Sequence, residues 1–182
     1  MDELIDIVDE SGMLTGEVCL KSKAHRFGYW HLCVDIWMYT GSGKVLIQKR
    51  IDNKDTFPGL WDVSVAGHVR VGEIPINAAH RELQEELGLH IPHKDLNFIG
   101  NYKSDFEHNQ NLRDKEFHHI YMAEFKGDIN DITLQAEEVS DVRLMPIDQL
   151  RNKLMDTGFK HEFVPYSTSY FSMIFEAIER EC

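Results

Sequence analysis

Three glutamates, Glu82, Glu85 and Glu86, stand three and four residues apart in the run Arg81-Glu82-Leu83-Gln84-Glu85-Glu86. In a helix that spacing puts all three carboxylates on one face, where unpaired anions repel one another and a cation belongs among them. Hard divalent cations such as Mg2+ or Mn2+ take oxygen ligands and bridge protein carboxylates to substrate phosphates, so the chemistry to expect is metal-assisted phosphoryl transfer. A solvated acidic face would also carry glutamates, but it needs no flanking glycines, no arginine ahead of it and no apolar stripe. Here Ala79, Leu83 and Leu87 recur every fourth residue, a stripe that can bury against a sheet while the glutamates face a cleft. Gly88 is placed to stop the helix and Pro75 to open it, so the spacing predicts a helix over Pro75 to Leu87.

Other elements must hold that helix in place. Glu3 to Val8 and Leu14 to Leu20, separated by Glu10-Ser11-Gly12, predict a hairpin, read as an N-terminal extension over residues 1–28. Tyr29 to Thr40 and Lys44 to Arg50 predict two strands joined by the turn Gly41-Ser42-Gly43. Asp62 to Ala66 predicts a short strand, with further strands at Asn97 to Phe106, Phe117 to Phe125 and Asp141 to Met145. Pro146-Ile147-Asp148 opens a helix running past Leu154, and Tyr170 to Arg180 carries apolar residues at helical spacing for a closing helix within residues 165–182. Mixed strands with a helix on each side give an α/β fold, an α/β/α sandwich around a mixed sheet. No repeat, low-complexity segment or Pro/Gly/Ser-rich linker divides the 182 residues, so one domain is expected.

Composition narrows the function classes. A formal net charge of -12 opposes binding to a nucleic-acid polymer, which rests on Lys and Arg neutralising backbone phosphates. No stretch approaches the roughly 20 apolar residues of a membrane span, and the acidic start MDELIDIVDE lacks the order of a secretory signal, so a cytoplasmic location is expected. The cysteines Cys19, Cys33 and Cys182 form no metal-ligand or redox motif and read as ordinary thiols. The expected partner is a small-molecule diphosphate; a homodimer stays open.

The whole run from Gly67 to Leu89 resembles the Nudix box. Gly67, Glu73, Arg81, Glu82, Leu83, Glu85, Glu86, Gly88 and Leu89 fill all nine of its constrained positions in twenty-three residues. The resemblance implies a loop-helix-loop that binds Mg2+ or Mn2+ through Glu82, Glu85, Glu86 and the Gly67 carbonyl, and a hydrolase that cleaves a diphosphate. A wider likeness, carried by Lys21, His25, His31, Arg50, Lys54, Phe57-Pro58-Gly59-Leu60-Trp61, Gly67-His68, Glu137-Glu138-Val139 and Phe163-Val164-Pro165-Tyr166, is similar to the branch containing isopentenyl-diphosphate isomerases. It implies that Lys21, Arg50 and Lys54 hold the substrate diphosphate and that His25, His31, His68 and Glu116 form a second metal site. Read as residues alone, Lys54 between Asp52 and Asp55 is equally a surface charge, His25 and His31 read as partly buried or strand-edge histidines ahead of metal ligands, and His118-His119 are strand residues facing opposite sides.

One position departs from the isomerases: the residue before Gly67-His68 is Ala66, where they carry a catalytic cysteine. A double-bond shift adds a proton on one side and removes one on the other, and alanine does neither. With the acidic set of the box complete, the expected reaction is hydrolysis, with isomerisation as the alternative and a silent binding module as a third class. Glu85 is the expected base, with Glu137 or Glu138 as a base supplied from outside the box. Arg81 is expected to clamp Glu73 and a box carboxylate. Phe57 and Trp61 read as core ahead of pocket wall.

Overall fold

The computed structural model describes residues 2–155 and 161–181. In chain order the elements are β1 (Leu4–Val8), β2 (Leu14–Leu20), α1 (Lys21–Phe27), β3 (His31–Tyr39), β4 (Lys44–Arg50), β5 (Trp61–Asp62), β6 (Val65–His68), α2 (Pro75–Leu87), β7 (Asn97–Asn109), β8 (Leu112–Glu124), β9 (Val139–Pro146), α3 (Ile147–Met155) and α4 (Thr168–Glu179). Strand β3 is the axis. Its apolar residues alternate between the two faces of the sheet, and β8 runs parallel to it along one edge, from His31↔Glu116 to Tyr39↔Glu124. Along the other edge two strands share it: β6 pairs antiparallel from Cys33↔His68 to Ile36↔Val65, and β4 pairs only at Met38↔Leu46 and Tyr39↔Val45. β9 pairs with β4 from Lys44↔Pro146 to Arg50↔Val139, and beyond Leu46 β4 also takes β5 at Gln48↔Asp62 and Lys49↔Trp61, so the sheet splits between β6 and the β4–β5 pair.

Each face of the sheet has its own core. Val34, Ile36, Met38 and Leu46 pack against Ala78, Ala79, Leu83 and Leu87 of α2. On the opposite face Trp37, Tyr39, Ile47 and Ile120 pack against Leu150 of α3 and Ile174, Phe175 and Ile178 of α4. This is the expected α/β/α arrangement on a mixed sheet. Helix α2 starts with Pro75 and ends at Gly88, whose φ of 67° is the left-handed conformation that glycine adopts without strain. Among the described residues no helix is long and apolar enough to cross a membrane.

Four expectations are corrected. Residues 1–28 hold helix α1 as well as the hairpin; it is a short helix burying only Ala24 and His25 and closed by Gly28 at φ 64°, too little apolar pattern to signal itself. The strand expected over 62–66 is two short strands, because Asp62 follows β4 while Val65 follows β3. Strands β7 and β8 extend to Asn109 and from Leu112, through residues that read as loop, since cross-strand ion pairs such as Arg113–Asp105 (2.6 Å) satisfy their polar side chains. The closing helix starts at Thr168, capped by Ser167 Oγ, which accepts from Tyr170 N; Cys182 lies outside the described residues.

Leu83, fully buried between α2 and the sheet, seats the glutamate-bearing helix. Leu83→Ala is expected to lower unfolding free energy by about 3 kcal/mol, read from the shift in denaturant midpoint at unchanged slope.

Candidate active site

The box residues meet because α2 approaches β6 at a glycine. An added Cβ at Gly67 would overlap the Glu82 carboxylate, so only glycine admits Glu82 there. Arg81 holds the group together. Its Nε and Nη2 donate to the two oxygens of Glu73 (3.0 and 2.9 Å), Nη1 donates to Glu82 (2.6 Å) and Glu85 (3.1 Å), and Nη2 also reaches the His68 carbonyl (2.9 Å). One guanidinium thus ties the loop, the helix and the strand. Arg70, which the sequence did not single out, pairs with Glu85 (3.2 Å) and Glu3 (2.8 Å).

Burial sets the electrostatics. It pushes the Glu82 carboxyl up to about 7, although Arg81 pulls it down, and the Glu86 carboxyl up to about 8, with Glu82 adding to the effect. Gln48 Nε2 donates to Glu86 (3.0 Å), while Gln48 Oε1 is buried with no hydrogen-bond partner among the described residues. The carboxylates of Glu82, Glu85 and Glu86 with the Gly67 backbone offer oxygen donors only, which fits a hard divalent cation.

A second group of donors lies in the same cavity. His25, His31, His68 and Glu116 each direct one ligand atom inward, all within 4.8 Å of one another. His25 Nε2 lies 3.2 Å from His68 Nε2, and Glu116 Oε1 lies 3.7 Å from His31 Nε2 and 3.5 Å from His68 Nε2. The outer nitrogens of two rings are anchored: His31 Nδ1 meets the Tyr29 carbonyl at 2.9 Å, and His25 Nδ1 meets Asp114 at 3.3 Å. Such anchors orient metal-ligating imidazoles. Burial holds His25 down at about 3 and His68 at about 4, so both rings are neutral donors at physiological pH. Burial would raise Glu116, but the His31 and His68 rings beside it, 3.7 and 3.5 Å away, keep it well below the usual carboxylate range. His31 Nε2 is buried without a hydrogen-bond partner among the described residues, aimed at this cluster. Three nitrogens and one oxygen fit a borderline first-row cation.

The box residues Gly67, Glu82, Glu85 and Glu86 and, from the second group, His25, His68 and Glu116 line one cavity of about 660 Å³ that also receives Lys21, Arg50, Lys54 and Glu138, with His31 fully buried behind them. Lys21 opens α1 and makes no ion pair among the described residues. Lys54 is paired with Glu138 across the cavity. Arg50 is heavily engaged: Nη1 donates to Asp62 (3.0 Å), and Nε and Nη2 donate to the Thr56 carbonyl (3.2 and 3.0 Å). Glu137 is exposed and does not reach the cavity. Phe57 lines the cavity from a left-handed backbone at φ 47°, whereas Trp61 packs toward Phe163 and the α3–α4 side. Ala66 lies on the wall, and the buried Cys33 thiol donates to Glu116 (3.2 Å). Asp35, Asp62, Asp114, His118 and Tyr166 also line the cavity and were not read as site residues. The available signal was a period of two, His31-x-Cys33-x-Asp35 and Asp114-x-Glu116-x-His118, on strands that are paired in register.

Comparison with known proteins agrees with this geometry. The chain is 34% identical to an uncharacterized Nudix hydrolase of Clostridium acetobutylicum, covering 97% of both chains. It is also 34% identical to Isopentenyl-diphosphate Delta-isomerase 2 of Photorhabdus laumondii, covering 83% of this chain and 81% of the relative. A crystal structure from Deinococcus radiodurans shares the fold, with a TM-score of 0.63 at 22% identity over 84% of this chain and 88% of that one. The NUDIX domain family profile matches residues 30–166, and the chain belongs to the Nudix family.

Proposed function

We propose that the protein is a cytoplasmic, Mg2+- or Mn2+-dependent hydrolase that cleaves a small-molecule diphosphate by attack of water at phosphorus. The single observation that carries this reading is the convergence of Glu82, Glu85 and Glu86 with Gly67 in a cavity that also holds Lys21 and Lys54. Those carboxylates and the Gly67 carbonyl would hold a divalent ion, which would supply charge neutralisation at the diphosphate and activation of water. The protein's own groups do the rest. Arg81 fixes the spacing of Glu73, Glu82 and Glu85, so the carboxylates are positioned before substrate arrives. Lys21 and Lys54 bind phosphate oxygens, and Arg50 contributes the remaining Nη1 N–H while its other donors brace the loop carrying Thr56. When Lys54 turns to phosphate it leaves Glu138, and Glu138 or Glu85 then accepts the proton of the attacking water.

The isomerase alternative draws on the Photorhabdus relative and on the His25, His31, His68 and Glu116 cluster. Ala66 opposes it. Cys33 does not replace the missing thiol: burial and Glu116 push it well above the ordinary thiol range, and it shares one side of the cavity with Glu116. The proton-transfer group that the isomerases carry at the position of Ala66 is therefore missing.

In a panel of nucleoside diphosphates, nucleotide sugars, dinucleotides and prenyl diphosphates, Mg2+ is expected to elicit monophosphate products and a chelator to abolish them. Glu85→Gln and Glu82→Gln are each expected to lower kcat about 1,000-fold, roughly 4 kcal/mol of transition-state stabilisation. Full turnover in Glu85→Gln would remove it as base and as ligand. Isopentenyl diphosphate incubated in D2O at high enzyme concentration is expected to take up no deuterium at carbon, by NMR; uptake with interconversion to the allylic isomer would establish the isomerase instead.

A further inference from the structure

Past the box carboxylates the cavity enters the split between β6 and the β4–β5 pair, and its wall there is charged. Asp35, Asp62 and His118 are each no more than 4% exposed, yet all three face the cavity. Asp35 Oδ1 lies 3.1 Å from His118 Nδ1, and the Tyr170 hydroxyl donates to Asp35 Oδ2 (2.7 Å). The other ring nitrogen of His118 meets Ser104 Oγ (2.8 Å). Asp62 accepts from Arg50 Nη1 (3.0 Å) and from the Val63 amide (2.8 Å). Tyr166, its ring stacked on Tyr170 with centroids 4.4 Å apart, lines the same space, and its hydroxyl has no hydrogen-bond partner among the described residues.

Folding alone gives little reason for this wall. Buried charge networks are commonly replaceable by apolar residues with no loss of stability, and the sheet on this face is otherwise packed with Trp37, Ile47 and Ile120. The wall matters more to a ligand. Carboxylates and a phenol keep lone pairs and a donor beyond the bonds they already make. A hydrocarbon group placed against them would leave them unpaired, whereas hydroxyl groups would meet them bond for bond. The aromatic part of the lining, Phe57 packed edge-on against Phe106 at 5.1 Å, offers ring surface to the C–H side of the same group.

We propose that the group joined to the diphosphate is hydroxyl-rich, a sugar or polyol read by Asp35, Asp62 and Tyr166, with His118 holding Asp35 in place, and not a hydrocarbon such as a prenyl chain. This rests on the diphosphate-hydrolase reading and names the class of compound that the site takes.

The test compares two five-carbon diphosphates, the hydroxyl-rich D-ribose 5-diphosphate and the hydrocarbon n-pentyl diphosphate, with the full chain and Mg2+. The expected kcat/KM ratio favours the ribose compound by about 100-fold or more, because polar groups built to meet hydroxyls are left unpaired by the alkyl chain. Tyr166→Phe, which keeps the ring stack, is expected to narrow that ratio about tenfold. Asp35→Asn, which keeps side-chain volume, is expected to narrow it too, with folding checked by circular dichroism. A ratio near or below one overturns the inference and leaves the hydrolase reading intact. A ratio unmoved by both folded variants overturns the assignment of the wall as the reader. Cleavage of neither compound, while another diphosphate of the broader panel is cleaved, overturns the inference alone; no cleavage of any diphosphate overturns both.

Discussion

At residue 67 any side chain would occupy the space of the Glu82 carboxylate. The site depends on this contact. It lets α2 come down on β6 with a carboxylate, and not a methyl group, between them, and it brings the Gly67 carbonyl, the box glutamates and His68 into one cavity. Arg81 then makes the approach electrostatically tolerable by bridging Glu73, Glu82 and Glu85 while reaching the carbonyl of His68. Helix placement, ligand spacing and the path of the loop before α2 are therefore one constraint seen from three elements. The apolar stripe through Leu83 supplies the force that holds the helix against it.

Two donor sets of different character share the cavity. The box is all oxygen and its most buried members, Glu82 and Glu86, carry carboxyls raised by burial; the second set is three imidazoles and Glu116, with two imidazoles held neutral by burial. A hard cation suits the first and a borderline one the second. They are adjacent because Gly67 and His68 are consecutive on β6, while β3 and β8 bring His31 opposite Glu116 in register. The net charge of -12 is no obstacle to an anionic substrate, since Lys21, Lys54 and Arg50 stand at the cavity and cations held there would invert the local field.

How much was legible in the sequence depended on whether a residue's role is local. The box helix was legible because its glutamates, apolar stripe and terminal glycine lie within two dozen residues and obey one period. The sandwich was legible from strand and helix patterns on either side of it. Helix α1 was not, since the run Lys21-Ser22-Lys23-Ala24-His25-Arg26-Phe27 buries only two residues. The charged wall was equally hidden. Asp35, Asp62 and His118 come from three strands that meet only through the split in the sheet, and each reads on its own as an ordinary polar residue in an apolar strand. Arg70 and Asp114 matter through partners fifteen and eighty-nine positions away, Glu85 and His25, which no local spacing encodes.

The central claim is that water attacks phosphorus at a site built from Glu82, Glu85 and Glu86. Its most direct test is to cleave the best diphosphate substrate in 18O-enriched water and locate the label by 31P NMR and mass spectrometry. The account predicts one 18O in a single monophosphate product, seen as an isotope-shifted phosphorus resonance, with none in the organic group. Label on the carbon of the organic product, with inorganic diphosphate released intact, would mean that the carbon–oxygen bond is the one broken and would contradict it.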